Sequence, residues 1–103
     1  MLNQTILVGR IVSDPQINET KNEKKVTTIS LAVQRSYKNE EGGYTTDFIP
    51  CVLWDGVAQN VVEYCKKGDL IGIKGRIQSS LDRIEVIAEK VTFLSSNKQA
   101  YQN

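Results

Sequence analysis

Histidine is absent from this 103-residue sequence. That removes Ser–His–Asp and Cys–His nucleophilic catalysis and every histidine-ligated metal. Cysteine is scarce. Cys51 and Cys65 have neither metal-ligand nor CxxC spacing, so both are expected to be free buried thiols suited to a reducing compartment. An enzyme would need a carboxylate pair or an activated thiol, and the sequence presents neither, so no catalytic residue, metal or cofactor is expected. No apolar run approaches the roughly 20 residues that span a bilayer, and Ile6-Leu7-Val8 is too short for a signal-peptide core. The expectation is a soluble cytoplasmic protein with no membrane partner. A dominant charge is missing too: Lys and Arg number 13 against 12 Asp and Glu, a net +1. Nucleic-acid domains commonly show a pI above about 9, so such a role must rest on where the charges sit.

What remains is globular in composition, 40% hydrophobic and 24% charged. A chain this long buries roughly 65% of its unfolded surface and supports one modest core. Hydrophobicity alternates with period two in several stretches, the mark of half-buried strands. The first is expected over Thr5 to Val12, closed by Ser13-Asp14-Pro15, with a polar loop bearing Lys21, Lys24 and Lys25 after it. The second runs from Val26 to Gln34, with Ile29, Leu31 and Val33 on one side. Asn39-Glu40-Glu41-Gly42-Gly43 reads as a flexible hairpin tip between Tyr37 and Tyr44. The third strand, Thr46 to Trp54, sorts Ile49, Cys51 and Leu53 from Phe48, Val52 and Trp54. Pro50 cannot donate to a ladder, which predicts a bulge or a lost pairing there.

One helix follows, capped by Asp55 and carrying Val57, Ala58, Val61, Val62, Tyr64 and Cys65 on its apolar side, with Tyr64 expected in the core. Lys66 and Lys67 are expected in its last turn and Gly68 just past its end. The fourth strand, Leu70 to Gln78, divides Ile71, Ile73 and Ile77 from Lys74, Arg76 and Gln78. A turn at Ser79 to Asp82 leads to the fifth, Arg83 to Phe93, with Ile84, Val86 and Ala88 together. Three strands, a helix and two strands is the order of an all-β OB-fold, a five-stranded Greek-key barrel with one α-helix between strands 3 and 4. Gly9, Gly72 and Gly75 suit the coiling such a barrel needs.

If Ile49, Cys51 and Leu53 fill the barrel, Phe48 and Trp54 lie outside it, on a surface with Lys74 and Arg76. Arg35, Tyr37 and Lys38 end the second strand nearby. Rings interleaved with cations suit a single-stranded nucleic acid, because bases stack on rings at about 1–3 kcal/mol each while cations track phosphates. Acids such as Glu63, Glu85 and Glu89 are then expected away from that groove. By parity alone, the rings serve a protein interface equally well, and the bases a merely solvated face.

Four segments also resemble a known family: Ile6-Leu7-Val8-Gly9-Arg10, Ile29-Ser30-Leu31-Ala32-Val33, Asp47-Phe48 through Val52-Leu53-Trp54, and Lys67-Gly68 through Gly75-Arg76-Ile77-Gln78. In order and spacing they are similar to the bacterial single-stranded DNA-binding proteins. The resemblance covers residues 1–94 as the binding domain and leaves 95–103 as a short polar tail. It implies a homotetrameric OB-fold that coats single-stranded DNA in replication, recombination and repair. Carried over, its stacking residues fall on Tyr37, Phe48 and Trp54, and its backbone contacts on Arg10, Arg35, Lys38, Lys74 and Arg76. The family's hairpin between strands four and five is usually longer and bears another aromatic; Leu81 stands there instead. Its typical acidic C-terminal tip, which recruits partners, has no counterpart before Asn103, so recruitment by that route is not expected. The alternative is a primosomal replication protein of the same ancestry, a dimer that binds single strands and serves a helicase loader. A protein-binding module without nucleic acid is a further alternative.

Overall fold

The computed structural model describes residues 1–95. Its strands are β1 (Thr5–Ile11), β2 (Asn18–Glu19), β3 (Lys25–Lys38), β4 (Tyr44–Trp54), β5 (Leu70–Ser80) and β6 (Arg83–Ser95), with α1 (Asp55–Tyr64) between β4 and β5. The sheet runs β1-β5-β6-β4-β3-β2, and a further β1–β3 pairing closes it into a five-stranded barrel. The pair β4–β6 is parallel and the others antiparallel, so the architecture is the OB-fold. The two-residue β2 was not anticipated; it lies in the polar stretch and pairs with the start of β3. The tail expected over 95–103 lies, apart from Ser95 in β6, outside the described residues.

Closure depends on β1 changing partners. It pairs with β5 from Thr5 to Arg10 and reaches β3 at Arg10 and Ile11. A Cβ on Gly9 would strike the Ala32 carbonyl, so only glycine lets the two backbones approach here. Gly75 is equally constrained, by the Ile87 carbonyl at the bulge where β5 and β6 slip register. Gly72 meets only ordinary contacts and contributes no such approach.

The interior holds Ile11, Ile29, Leu31, Cys51, Leu53, Ile71, Ile73, Val86 and Ala88, closed at one end by Ala58, Val61 and Cys65 of the helix and its cap. The period-two assignments for β3, β4 and β5 therefore hold at their centres, while Ile84 and Ile77 run past the barrel rim and are exposed. Burial pushes the Cys51 thiol up to about 12 and the Cys65 thiol up to about 11, with Asp69 adding to the latter. Both are neutral and unreactive near pH 7.

Several local expectations are corrected. Pro50 causes no bulge: it sits in register opposite Ser30, and the irregularity lies farther out, between Gln34 and Lys38. The Ser30 carbonyl accepts from the Val12 N–H, so its backbone polar groups turn toward β1. Pro50 opposite it occupies a non-hydrogen-bonded pair, where a missing donor costs nothing to the β3–β4 ladder. Asp55 does not cap the helix. Trp54 is the N-cap residue, and the Asp55 carboxylate instead accepts from the Lys25 N–H at 3.3 Å. The helix also ends earlier than expected, with Cys65 as its cap and no base in its last turn. Lys66–Asp69 form a separate turn in which Gly68 takes a positive φ of 91°. Tyr64 is exposed and lies beside Phe93, with ring centroids 6.0 Å apart.

Candidate nucleic-acid interface

The outer side of β4 is built by simple alternation. Because Cys51 and Leu53 point into the barrel, Phe48, Pro50, Val52 and Trp54 point out. Phe48 is 64% exposed and Trp54 39%. They stand roughly 20 Å apart along the strand. Between them Pro50 is half-buried and Val52 is buried. Val52 pairs with Ile87 of β6, and both are buried although neither belongs to the cluster filling the barrel. The row Thr28–Val52–Ile87–Arg76 thus crosses four strands as an apolar floor ending in a guanidinium. Ile87 was not singled out from the sequence, because its parity, opposite to that of Val86 and Ala88, assigns it to the outer side of the barrel.

At one end of this floor, Phe48 pairs with Ala32, and Ala32 with Arg10. The small methyl of Ala32 leaves an open trough of about 460 Å³, lined by Val8, Arg10, Ala32, Gln34, Thr46 and Leu70. One Arg10 Nη1–H donates to the Gly68 carbonyl at 2.9 Å, which holds the side chain while leaving its other donors free. At the other end, Trp54 and Asp55 wall a hollow of about 470 Å³ with Thr20, Asn22 and Lys24. The lysine loop therefore forms part of the surface beside Trp54. The Thr20 N–H donates to the Lys24 carbonyl at 2.9 Å, and the Lys24 N–H to Thr20 Oγ1 at 3.2 Å. No local pattern announces this contact, since β2 brings the loop to Trp54 only through the tertiary fold.

Other expected residues fall elsewhere. Arg35 donates from Nε and Nη2 to the two carboxylate oxygens of Asp47, each at 3.0 Å, and from Nη1 to the Tyr37 hydroxyl at 3.5 Å. The fork–carboxylate pairing raises the arginine's already high pKa and lowers that of Asp47, chiefly through the hydrogen bonds. Asp47 precedes Phe48 in the strand, so Arg35, Tyr37 and Asp47 share the side of the hairpin away from Phe48. Lys38 lies opposite Tyr44. Arg76 reaches the floor but is engaged by Glu89 at 3.1 Å, an acid expected to lie apart from it. Glu85 is also on this side, opposite Gln78, and is approached by Arg83 at 3.7 Å. Lys74 faces Ile6 and Lys90, two strands from β4. Lys38 and Lys74 hold no ion pair among the described residues.

The sequence model of the Single-strand binding protein family matches residues 2–94. A Lactococcus lactis protein named Single-stranded DNA-binding protein 1 is 41% identical over 95% of this chain and 71% of its own length. A Single-stranded DNA-binding protein of Halalkalibacterium halodurans is 45% identical, the match covering 91% of this chain but only 61% of that protein. The Bacillus subtilis Single-stranded DNA-binding protein B is 39% identical over 91% of each chain.

Proposed function

The chain belongs to the single-strand binding protein family, and on that premise we propose that it coats single-stranded DNA without catalysing a reaction, in replication, recombination and repair. The observation that carries this reading is the outer side of β4, where Phe48 and Trp54 flank an apolar floor with bases at both ends. Unpaired bases stack on the two rings and cross the sheet above Val52 and Ile87, while Arg10, Lys24 and Arg76 approach the phosphates. Stacking is indifferent to base identity, so binding is largely independent of sequence. Tyr37, Arg35 and Lys38 contribute from the hairpin, the first two from its opposite side. Lys74 meets strand that leaves the barrel past β5. Duplex DNA competes poorly, because its bases are already stacked.

We further propose that the chain works in the cytoplasm, on the nucleoid, as a homotetramer. From Thr5 to Gly9 only one edge of β1 has a partner among the described residues, and Ile6 and Val8 stand exposed beside it. An open apolar edge of this kind favours pairing with a second copy. A mass measurement in solution separates this from the dimer of the primosomal alternative.

The binding experiment uses the single tryptophan, Trp54. Titration with oligo(dT) is expected to quench its emission, and more salt is expected to weaken the complex. Unchanged emission together with no retention of a labelled oligonucleotide would overturn the proposal.

A further inference from the structure

We infer that Tyr44, with Lys38 opposite it, forms another stacking position, which carries the strand outward from the barrel along the β3–β4 hairpin. The inference rests on the reading above, that unpaired DNA lies over the outer side of β4. Three observations lead to it. First, β4 begins at Tyr44, and its burial alternates from there to Ile49, so that Tyr44, Thr46 and Phe48 share one side. The register irregularity of the hairpin adds residues to β3 and leaves β4 continuous. Second, Tyr44 is 48% exposed and makes no ring contact or side-chain hydrogen bond among the described residues. Its surface is free for a base.

Third, each ring on this side of β4 has a base placed near it. Trp54 shares a hollow with Lys24, Phe48 has Arg10 across Ala32, and Tyr44 has Lys38 directly opposite. Tyr37, the hairpin's other ring, is on the reverse side and bonded to Arg35. The tip immediately beyond Tyr44 carries Glu40 and Glu41, whose carboxylates repel phosphate and mark where the track ends. The hairpin itself is well held. The Asn39 Oδ1 accepts from the Glu41 and Gly43 N–H groups at 2.9 and 3.1 Å, so Tyr44 is presented from a fixed base.

The test moves the reporter. In a Trp54→Phe background, Tyr44→Trp places the only indole on the hairpin, and oligo(dT) is expected to quench it. In the otherwise unchanged protein, Tyr44→Leu is expected to weaken binding of a long oligo(dT) by about fivefold or more, whereas Tyr44→Phe preserves it. Leucine retains apolar bulk without a π-face, which separates stacking from a structural role. If the unchanged protein binds and Trp54 is quenched, but the hairpin indole is silent and Tyr44→Leu binds normally, this inference fails and the coat reading stands. If the unchanged protein neither binds nor shows quenching, the coat reading fails and takes the inference with it.

Discussion

Two hairpins leave the barrel, and they differ in what holds them and in what they offer. The β3–β4 hairpin is held by polar ties: the bidentate Arg35–Asp47 pair along its length and the Asn39 bonds at its tip. Its exposed residues include Tyr37, Tyr44 and Phe48. The β5–β6 hairpin turns in two residues, Leu81 and Asp82, and Leu81 adopts a φ of 55°, a region costly for a residue with a Cβ. Its outer end exposes aliphatics, Ile77, Leu81 and Ile84, and the one ring of β6, Phe93, lies back at the helix beside Tyr64. Beside it, the Asn3 side chain both donates to and accepts from the Ile77 backbone, at 2.8 and 2.9 Å, continuing the β1–β5 edge by a side-chain imitation of a strand. The contrast teaches that stacking capacity is concentrated on β4 and its hairpin. The second hairpin, where the family resemblance anticipates a ring, presents a surface that packs but does not stack.

The sharpest way to break this comparison is to remove one feature from each side. Trp54→Ala or Phe48→Ala should each cost about 1–3 kcal/mol of binding per occupied site, measured by polarisation of a labelled oligo(dT). Leu81→Ala should leave the affinity unchanged, and a comparable loss there would show that the β5–β6 hairpin bears strand as well.

A smaller effect is expected from the charge that restrains the floor. Glu89→Gln releases Arg76 to the phosphates, so binding should tighten and the salt dependence steepen by about 0.7 in log–log slope. An unaltered slope would place Arg76 off the path. Smaller again, and on stability alone, Leu81→Gly should raise resistance to urea by roughly 0.5–1 kcal/mol, the left-handed penalty relieved less the entropy that glycine adds. DNA affinity should not follow.

The least effect concerns pH. The Asp47 carboxyl is held below the usual carboxylate range by Arg35, so its stabilising contribution is present above the unfolded value and is lost as pH falls through the lowered folded value. The β3–β4 hairpin should therefore keep its amide protection at neutral pH and loosen only in strong acid, as read by hydrogen exchange. Asp47→Asn should remove that pH dependence. Persistence of the dependence in this variant would assign it to another group.

Legibility in the sequence followed the range of the forces involved. The barrel core and the outward placement of Phe48 and Trp54 were readable because alternation is a local consequence of strand geometry. Tyr44 belonged to the same alternation, but the glycine-rich tip concealed how far β4 extends. The capping expectation for Asp55 failed because the Lys25 N–H, distant in sequence, takes up its carboxylate. Tyr64 satisfied helical spacing yet faced outward beside Phe93, since a helix used as an end plug buries only a narrow stripe, Ala58 and Val61.

By itself, then, the order and spacing of residues determined the strand–helix sequence, the filling of the barrel and the parity of its rings, because each depends on neighbours within a few positions. Only the tertiary structure decided which charges are free and which are spent. Arg35 is bound to Asp47 and Arg76 to Glu89, while Lys24 is delivered to Trp54. Those outcomes depend on the register between strands and on loops brought together by barrel closure, and electrostatic partners are chosen by distance in space.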